Sequence, residues 1–183
     1  RRGTPNQVEV TNKQQCFPTR YWQSGTFDRW QELSADYMIE HFAVRNHGCP
    51  NCFLQCTKQC TIKNGRHAGL VVDGPEYETI YALGGLNCIA PLEEVLWLND
   101  ICDLVGIDTM SAGNLSGFAI EAYKRGASPF AIDYGQPDRT AELFGLIARR
   151  EGVGAVLAKG IRAAAAEWGL EDIAMHVKGL EPA

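Results

Sequence analysis

Apolar positions recur mostly at helical spacing, and the helices they predict crowd the second half of the chain. Residues 91–105 carry Leu92, Val95, Leu96, Leu98, Ile101, Cys102 and Val105, the spacing of an amphipathic helix. Glu93 and Glu94 fall in its first turn, where the helix dipole favours acids, and Gly106 closes it. Ser111 reads as the cap of the next helix, which runs to Arg125 and stops at Gly126. A loop with Pro129, Gly135 and Pro137 leads to a helix over 138–151. A further helix over 153–168 contains a run of alanines at 163–166 with high helix propensity, and 173–177 reads as a short strand.

The first half is less regular. Residues 1–30 mix polar residues with Gly3, Pro5, Pro18 and Gly25 and predict an irregular segment lying on something else. Its aromatics Tyr21, Trp22, Phe27 and Trp30 are expected at the surface, as the lining of a substrate channel or, in preference, as a docking face for another domain. Ser34 caps a helix whose approximate apolar face is Tyr37, Met38, His41, Phe42 and Val44, ending near Asn46–Gly48. Thr61-Ile62-Lys63, then Asn64-Gly65, then Leu70-Val71-Val72 signal a hairpin with a delayed return strand. After Asp73-Gly74, Pro75 suits the first position of a helix through Glu78, Tyr81 and Leu83. The order predicts a mostly all-α fold: one multihelical domain over 1–183 with a small β-hairpin near the cysteine loop.

Composition narrows the function classes. At 183 residues the chain can bury a sizeable core without disulfide staples. The net charge is −5 and the 17 basic residues are scattered, which argues against nucleic acid as a partner. No stretch approaches the ~18 apolar residues of a membrane span. The N-terminus lacks both a start Met and a signal-peptide core, so a piece of a longer, cytoplasmic protein is expected.

Of the 7 cysteines, Cys49, Cys52, Cys56 and Cys60 fall close together. Without a secretory signal, that clustering reads as a metal or cluster site in a reducing compartment. Cys49-x2-Cys52-x3-Cys56 lets several thiolates reach one object from a single loop, as a 4Fe–4S cluster requires. Gly48 lets the backbone approach the sulfurs, and Cys60 is a candidate fourth ligand. Zinc held by four cysteines, or by three with His47, stays open, and with it a zinc- or cluster-binding interaction or electron-transfer module without catalysis. Two acidic motifs follow. In Gly74-Pro75-Glu76-Tyr77-Glu78-Thr79 the two glutamates point different ways on a helix, so one at most faces a pocket. Asp103-Leu104-Val105-Gly106-Ile107-Asp108 puts acids around a helix C-terminus, where the dipole disfavours them. They read either as acceptors for the N–H groups of a heterocycle or as a solvated helix end and a cap for the next helix.

These motifs, followed by Leu83-Gly84-Gly85-Leu86-Asn87, Cys102-Asp103, Asp108-Thr109 and Gly113-Asn114 in order, resemble the aldehyde ferredoxin oxidoreductase family over about residues 17–182. The resemblance implies the first helical domain (domain 2) of a tungsten or molybdenum bis-molybdopterin enzyme. Its activity would be oxidation of aldehydes to carboxylic acids, with electrons passing through a 4Fe–4S cluster to ferredoxin. Cys49, Cys52 and Cys56 then match three cluster ligands, the fourth being expected beyond Ala183. Asp103, Gly106, Ile107 and Asp108 match a pterin-binding motif. Glu78 matches the acid near the metal, with Glu76 the second candidate. His41, His47, His67 and His176 match no catalytic position. Cys88 reads as a buried thiol or as a soft ligand to the metal, and Cys16 and Cys102 as packing residues. The partners implied are ferredoxin, the aldehyde, the enzyme's remaining domains and a possible second copy; the isolated chain is expected to be inactive.

Overall fold

The computed structural model describes residues 2–55 and 57–182. Among them are eight α-helices and a three-stranded antiparallel sheet, so the mostly helical expectation is met in its coarse form. The helices are α1 (Gln7–Lys13), α2 (Ala35–His41), α3 (Tyr77–Thr79), α4 (Leu92–Val105), α5 (Thr109–Lys124), α6 (Pro137–Arg149), α7 (Val153–Leu157) and α8 (Ile161–Trp168). The strands β1 (Phe42–His47), β2 (Thr57–Ile62) and β3 (Val71–Asp73) lie in that order. None of the described helices is long and apolar enough to cross a membrane.

The sheet is larger than the expected hairpin because the helix begun at Ser34 stops early. Ser34 does cap α2, accepting from the Tyr37 N–H at 3.2 Å. From Phe42 the burial changes period: Phe42 is buried, Ala43 exposed, Val44 half-buried and Arg45 exposed. That is the alternation of a strand, and Phe42 and Val44 satisfy helical spacing only by coincidence. β1 pairs with β2, placing Val44 opposite Cys60, and Cys60 is in turn opposite Val72 of β3. Those three side chains form a row on the core face of the sheet. Cys60 is fully buried in that row, so it is not available to the cysteine loop.

Five further expectations are corrected. Residues 1–30 contain a helix, α1, anchored by the buried Val8 and by Asn12, whose side chain accepts from the Phe27 N–H at 2.7 Å. The aromatics after it turn inward: Tyr21 and Phe27 are buried, and Trp22 and Trp30 are half-buried against the core. Cys16, expected to pack, is exposed. The helix expected over 153–168 is two, α7 and α8, broken at Gly160. Residues 173–177 form no strand; Val177 makes one isolated bridge, to Leu180.

The core centres on α5, which is buried continuously from Ala112 to Ile120. On one side it meets the segment after α3, which widens into π turns over Ile80–Gly85. The approach is close enough to need Gly113: a Cβ there would lie 2.3 Å from the Ala82 carbonyl oxygen. Asn87 locks the pair. Its buried amide donates to the carbonyls of Ala82 and Gly113 at 2.8 and 3.0 Å, and its oxygen accepts from Ser116 at 2.9 Å. The Leu-Gly-Gly-Leu-Asn and Gly-Asn motifs therefore hold two helices in fixed register. The hairpin tip is fastened separately: Arg66 bonds Glu94 and Asp138 and lies over Trp97, on which His67 stacks.

Candidate cofactor and acid site

The stretch between β1 and β2 carries the cysteines. Cys49 is exposed, Cys52 half-buried, and both thiols are free. The Cys52 N–H donates to the Cys49 carbonyl at 3.0 Å, so the two residues share one tight turn. Asn51 and Gln55 take left-handed backbone conformations (φ 64° and 42°) that bend the segment back on itself. Gly48 closes the neck. Its role differs from the one expected, because the backbone it approaches is that of Gln55: a Cβ would come within 2.8 Å of the Gln55 Cα. Cys56 lies outside the described residues. Among those described, no three metal-ligating side chains converge. The donor chemistry, two unpaired thiols on a loop closed at its neck, fits an iron–sulfur cluster completed by residues beyond the pair. Burial pushes the Cys60 thiol up to about 12, opposed by the nearby Lys58 cation, which removes it as a ready fourth thiolate.

The neck is also tied to the acidic helix. Glu76 adopts an extended conformation as the N-cap residue of α3, so the helix starts after it and not at Pro75. Its carboxylate accepts from Thr57 at 2.8 Å and from the Thr4 hydroxyl, which in turn accepts the Tyr77 N–H at 3.0 Å. Both Glu76 oxygens are thus engaged. Glu78 is half-buried and makes no hydrogen bond or ion pair with the described residues. As expected from their spacing, the two glutamates diverge.

Beside α3 lies a set of linked side chains that spacing alone did not single out. Burial pushes the Tyr81 hydroxyl up to about 12, and Glu78, Tyr77 and Asp108 add to the effect. Two carboxylates from separate motifs therefore act on one phenol, each disfavouring its ionisation. Trp22 packs edge-on against Tyr81 at 6.1 Å and donates its indole N–H to Asn114 at 2.9 Å. Asn114 and Tyr81 both donate to the Pro182 carbonyl, at 3.2 and 3.4 Å. Thr79 and Thr109 share a hydrogen bond of 2.9 Å that ties α3 to the first residue of α5.

Asp103 and Asp108 flank the turn between α4 and α5. Asp108 is exposed and caps α5, accepting from the Ser111 N–H at 2.8 Å, so the cap is Asp108 and not Ser111. Asp103 is exposed and accepts from Asn99 at 2.9 Å. Its carboxyl sits above the usual range because of desolvation and because Asp100 and Asp73 add negative charge. Asp73, at the end of β3, also lies 3.8 Å from His47 at the neck of the cysteine loop. Gly106 and Ile107 line an open cavity of about 380 Å³ with Ser111, Arg150 and Glu181. Exposed acceptors with spare lone pairs beside a cavity fit a heterocycle rich in N–H groups. Cys88, in a left-handed conformation, is half-buried and its thiol is raised chiefly by burial.

The family described as "Aldehyde ferredoxin oxidoreductase, domains 2 & 3" matches residues 1–183. The tungsten-containing aldehyde ferredoxin oxidoreductase of Pyrococcus furiosus is 31% identical over 98% of this chain and 30% of its own length. The protein of the same name from Thermococcus kodakarensis is 32% identical over the same shares. A WOR-like subunit of an aliphatic sulfonate oxidoreductase from P. furiosus is 30% identical over 89% of this chain and 28% of its own. Among solved structures, the active-site complex BamBC of benzoyl coenzyme A reductase superposes with a TM-score of 0.70 at 21% identity, over 98% of this chain and 28% of that one. That likeness is one of fold. The chain spans about 30% of the length of the first two relatives.

Proposed function

The chain belongs to the aldehyde ferredoxin oxidoreductase family, and on that premise we propose that it is one helix-rich domain of a tungsten- or molybdenum-dependent enzyme oxidising aldehydes to carboxylic acids. The observation that carries the reading is the 2.9 Å hydrogen bond between Thr79 and Thr109, which ties the helix bearing Glu78 to the turn bearing Asp108. An acid with no partner of its own stands there beside the turn suited to a pterin.

When bound, the bis-molybdopterin metal supplies two-electron oxidation with oxygen transfer, and the 4Fe–4S cluster supplies one-electron exit toward ferredoxin. This chain's residues do the rest. Cys49, Cys52 and Cys56 hold the cluster together with a ligand from another domain. Asp103 and Asp108 accept hydrogen bonds from the pterin ring, over a turn shaped by Gly106 and Ile107. Glu78 gives or takes the proton at the substrate carbonyl. Glu76 has the supporting part, because both its oxygens are committed to threonines. Tyr81 stays protonated and packs against Trp22 one turn beyond the acid. The domain works in the cytoplasm as part of a larger chain, and alone it is inactive.

The test is the full-length enzyme purified without oxygen. Iron with tungsten or molybdenum, and turnover of an aldehyde panel with ferredoxin or a viologen dye, support the reading. Zinc in place of iron, with no turnover, favours a binding module instead. Burial of Cys60 already weighs against a zinc site of four cysteines drawn from this chain alone.

A further inference from the structure

β2 alternates strictly, with Lys58, Cys60 and Ile62 on the core side at 3%, 0% and 2% exposure. A lysine in that row breaks the apolar pattern, and a buried ammonium is retained only where its surroundings favour the charge. Its surroundings are the return arm of the cysteine loop. Nζ donates to the carbonyls of Gln55 and Thr57, each at 3.4 Å, the two residues that flank position 56. The backbone is fixed on both sides: Asn46 pairs opposite, and the Lys58 carbonyl accepts from Gly74 at 2.7 Å. The cation is therefore held in a dry position at the base of the loop.

We infer that Lys58 tunes the iron–sulfur cluster proposed at Cys49, Cys52 and Cys56, its fixed buried charge making the cluster easier to reduce. The inference rests on the cluster reading above. A thiolate-ligated cluster is anionic and gains one further negative charge on reduction. A cation held in low dielectric favours the more negative state, far more than a solvated one would. One electron enters the cluster, and no bond forms or breaks. Its influence already reaches Cys60, whose thiol it pulls down against burial.

The test is an EPR-monitored redox titration of the full-length holoenzyme with K58M, which keeps length and removes charge, and K58R, which keeps charge. The expected K58M protein has wild-type iron and a reduction equilibrium at least tenfold weaker, about 59 mV more negative for a one-electron couple, while K58R stays near wild type. Wild-type iron with an unshifted potential in K58M overturns the role alone. An iron-depleted K58M protein makes Lys58 a brace for the loop and also overturns it. A wild-type enzyme without iron overturns the cluster reading and this role with it.

Discussion

Thr57 donates its hydroxyl to Glu76 at 2.8 Å, and that bond fastens the exit of the cysteine loop to the start of the helix bearing Glu78. Thr4 reaches the other oxygen of the same carboxylate. One side chain thus joins the N-terminal segment, the sheet and the acidic helix. Glu76→Ala removes hydrogen bonds to a charged group, at a cost of about 2 kcal/mol. The expected outcome is local loosening, read by hydrogen exchange as roughly 30-fold faster exchange over 48–62, with reduced iron retention.

Glu78 presents the opposite case. It supports no hydrogen bond in the described fold, so Glu78→Gln should leave thermal stability unchanged. As general acid or base it should lower kcat by about 100- to 10,000-fold, measured as aldehyde turnover in full-length enzyme with normal metal content. Wild-type turnover in E78Q would remove it from the chemistry.

Asp108 has two duties that different substitutions separate. Asp108→Ala deletes the cap of α5 and should cost about 1 kcal/mol, seen as a lower melting temperature. Asp108→Asn keeps a good capping side chain and should preserve that temperature. Both should lower pterin content if the carboxylate is the ring's acceptor; equal pterin in wild type and D108N would argue for a cap alone.

Asp103 gives a pH dependence. Its folded carboxyl titrates above the usual value through desolvation and the charges of Asp100 and Asp73. Protonation therefore favours the folded state: the contribution is full below the unfolded pKa of about 4 and is lost as pH rises through the higher folded value. Asp103→Asn should raise the melting temperature of the cofactor-free enzyme at pH 7 and give no gain near pH 3.5. A gain of equal size at both pH values would contradict this sign.

The second half of the fold was legible because α4, α5 and α6 carry clear periodicity and clear stops, such as Gly106. β1 was not, because Phe42 and Val44 satisfy helical and strand spacing equally over so short a run. α1 was hidden by its polar composition; one buried valine and an asparagine side chain anchor it. The cysteine trio and both acidic motifs were visible as residues at fixed spacing. Tyr81 and Lys58 were not, since their meaning depends on long-range packing: Tyr81 on the approach of α3 to α5, Lys58 on β2 starting at Thr57. Alternation read back from Ile62 would have exposed the lysine in an apolar row.

The Gly113 contact with Ala82, locked by Asn87, has a practical consequence for altering substrate preference. Glu78 and the Asp108 turn ride on backbones that cannot slide past each other, so any enlargement at 113 would displace both together. A combinatorial library intended to broaden the range of accepted molecules should leave 80–87 and 113–116 untouched, and Trp22 with them, because its indole N–H bonds the buried Asn114.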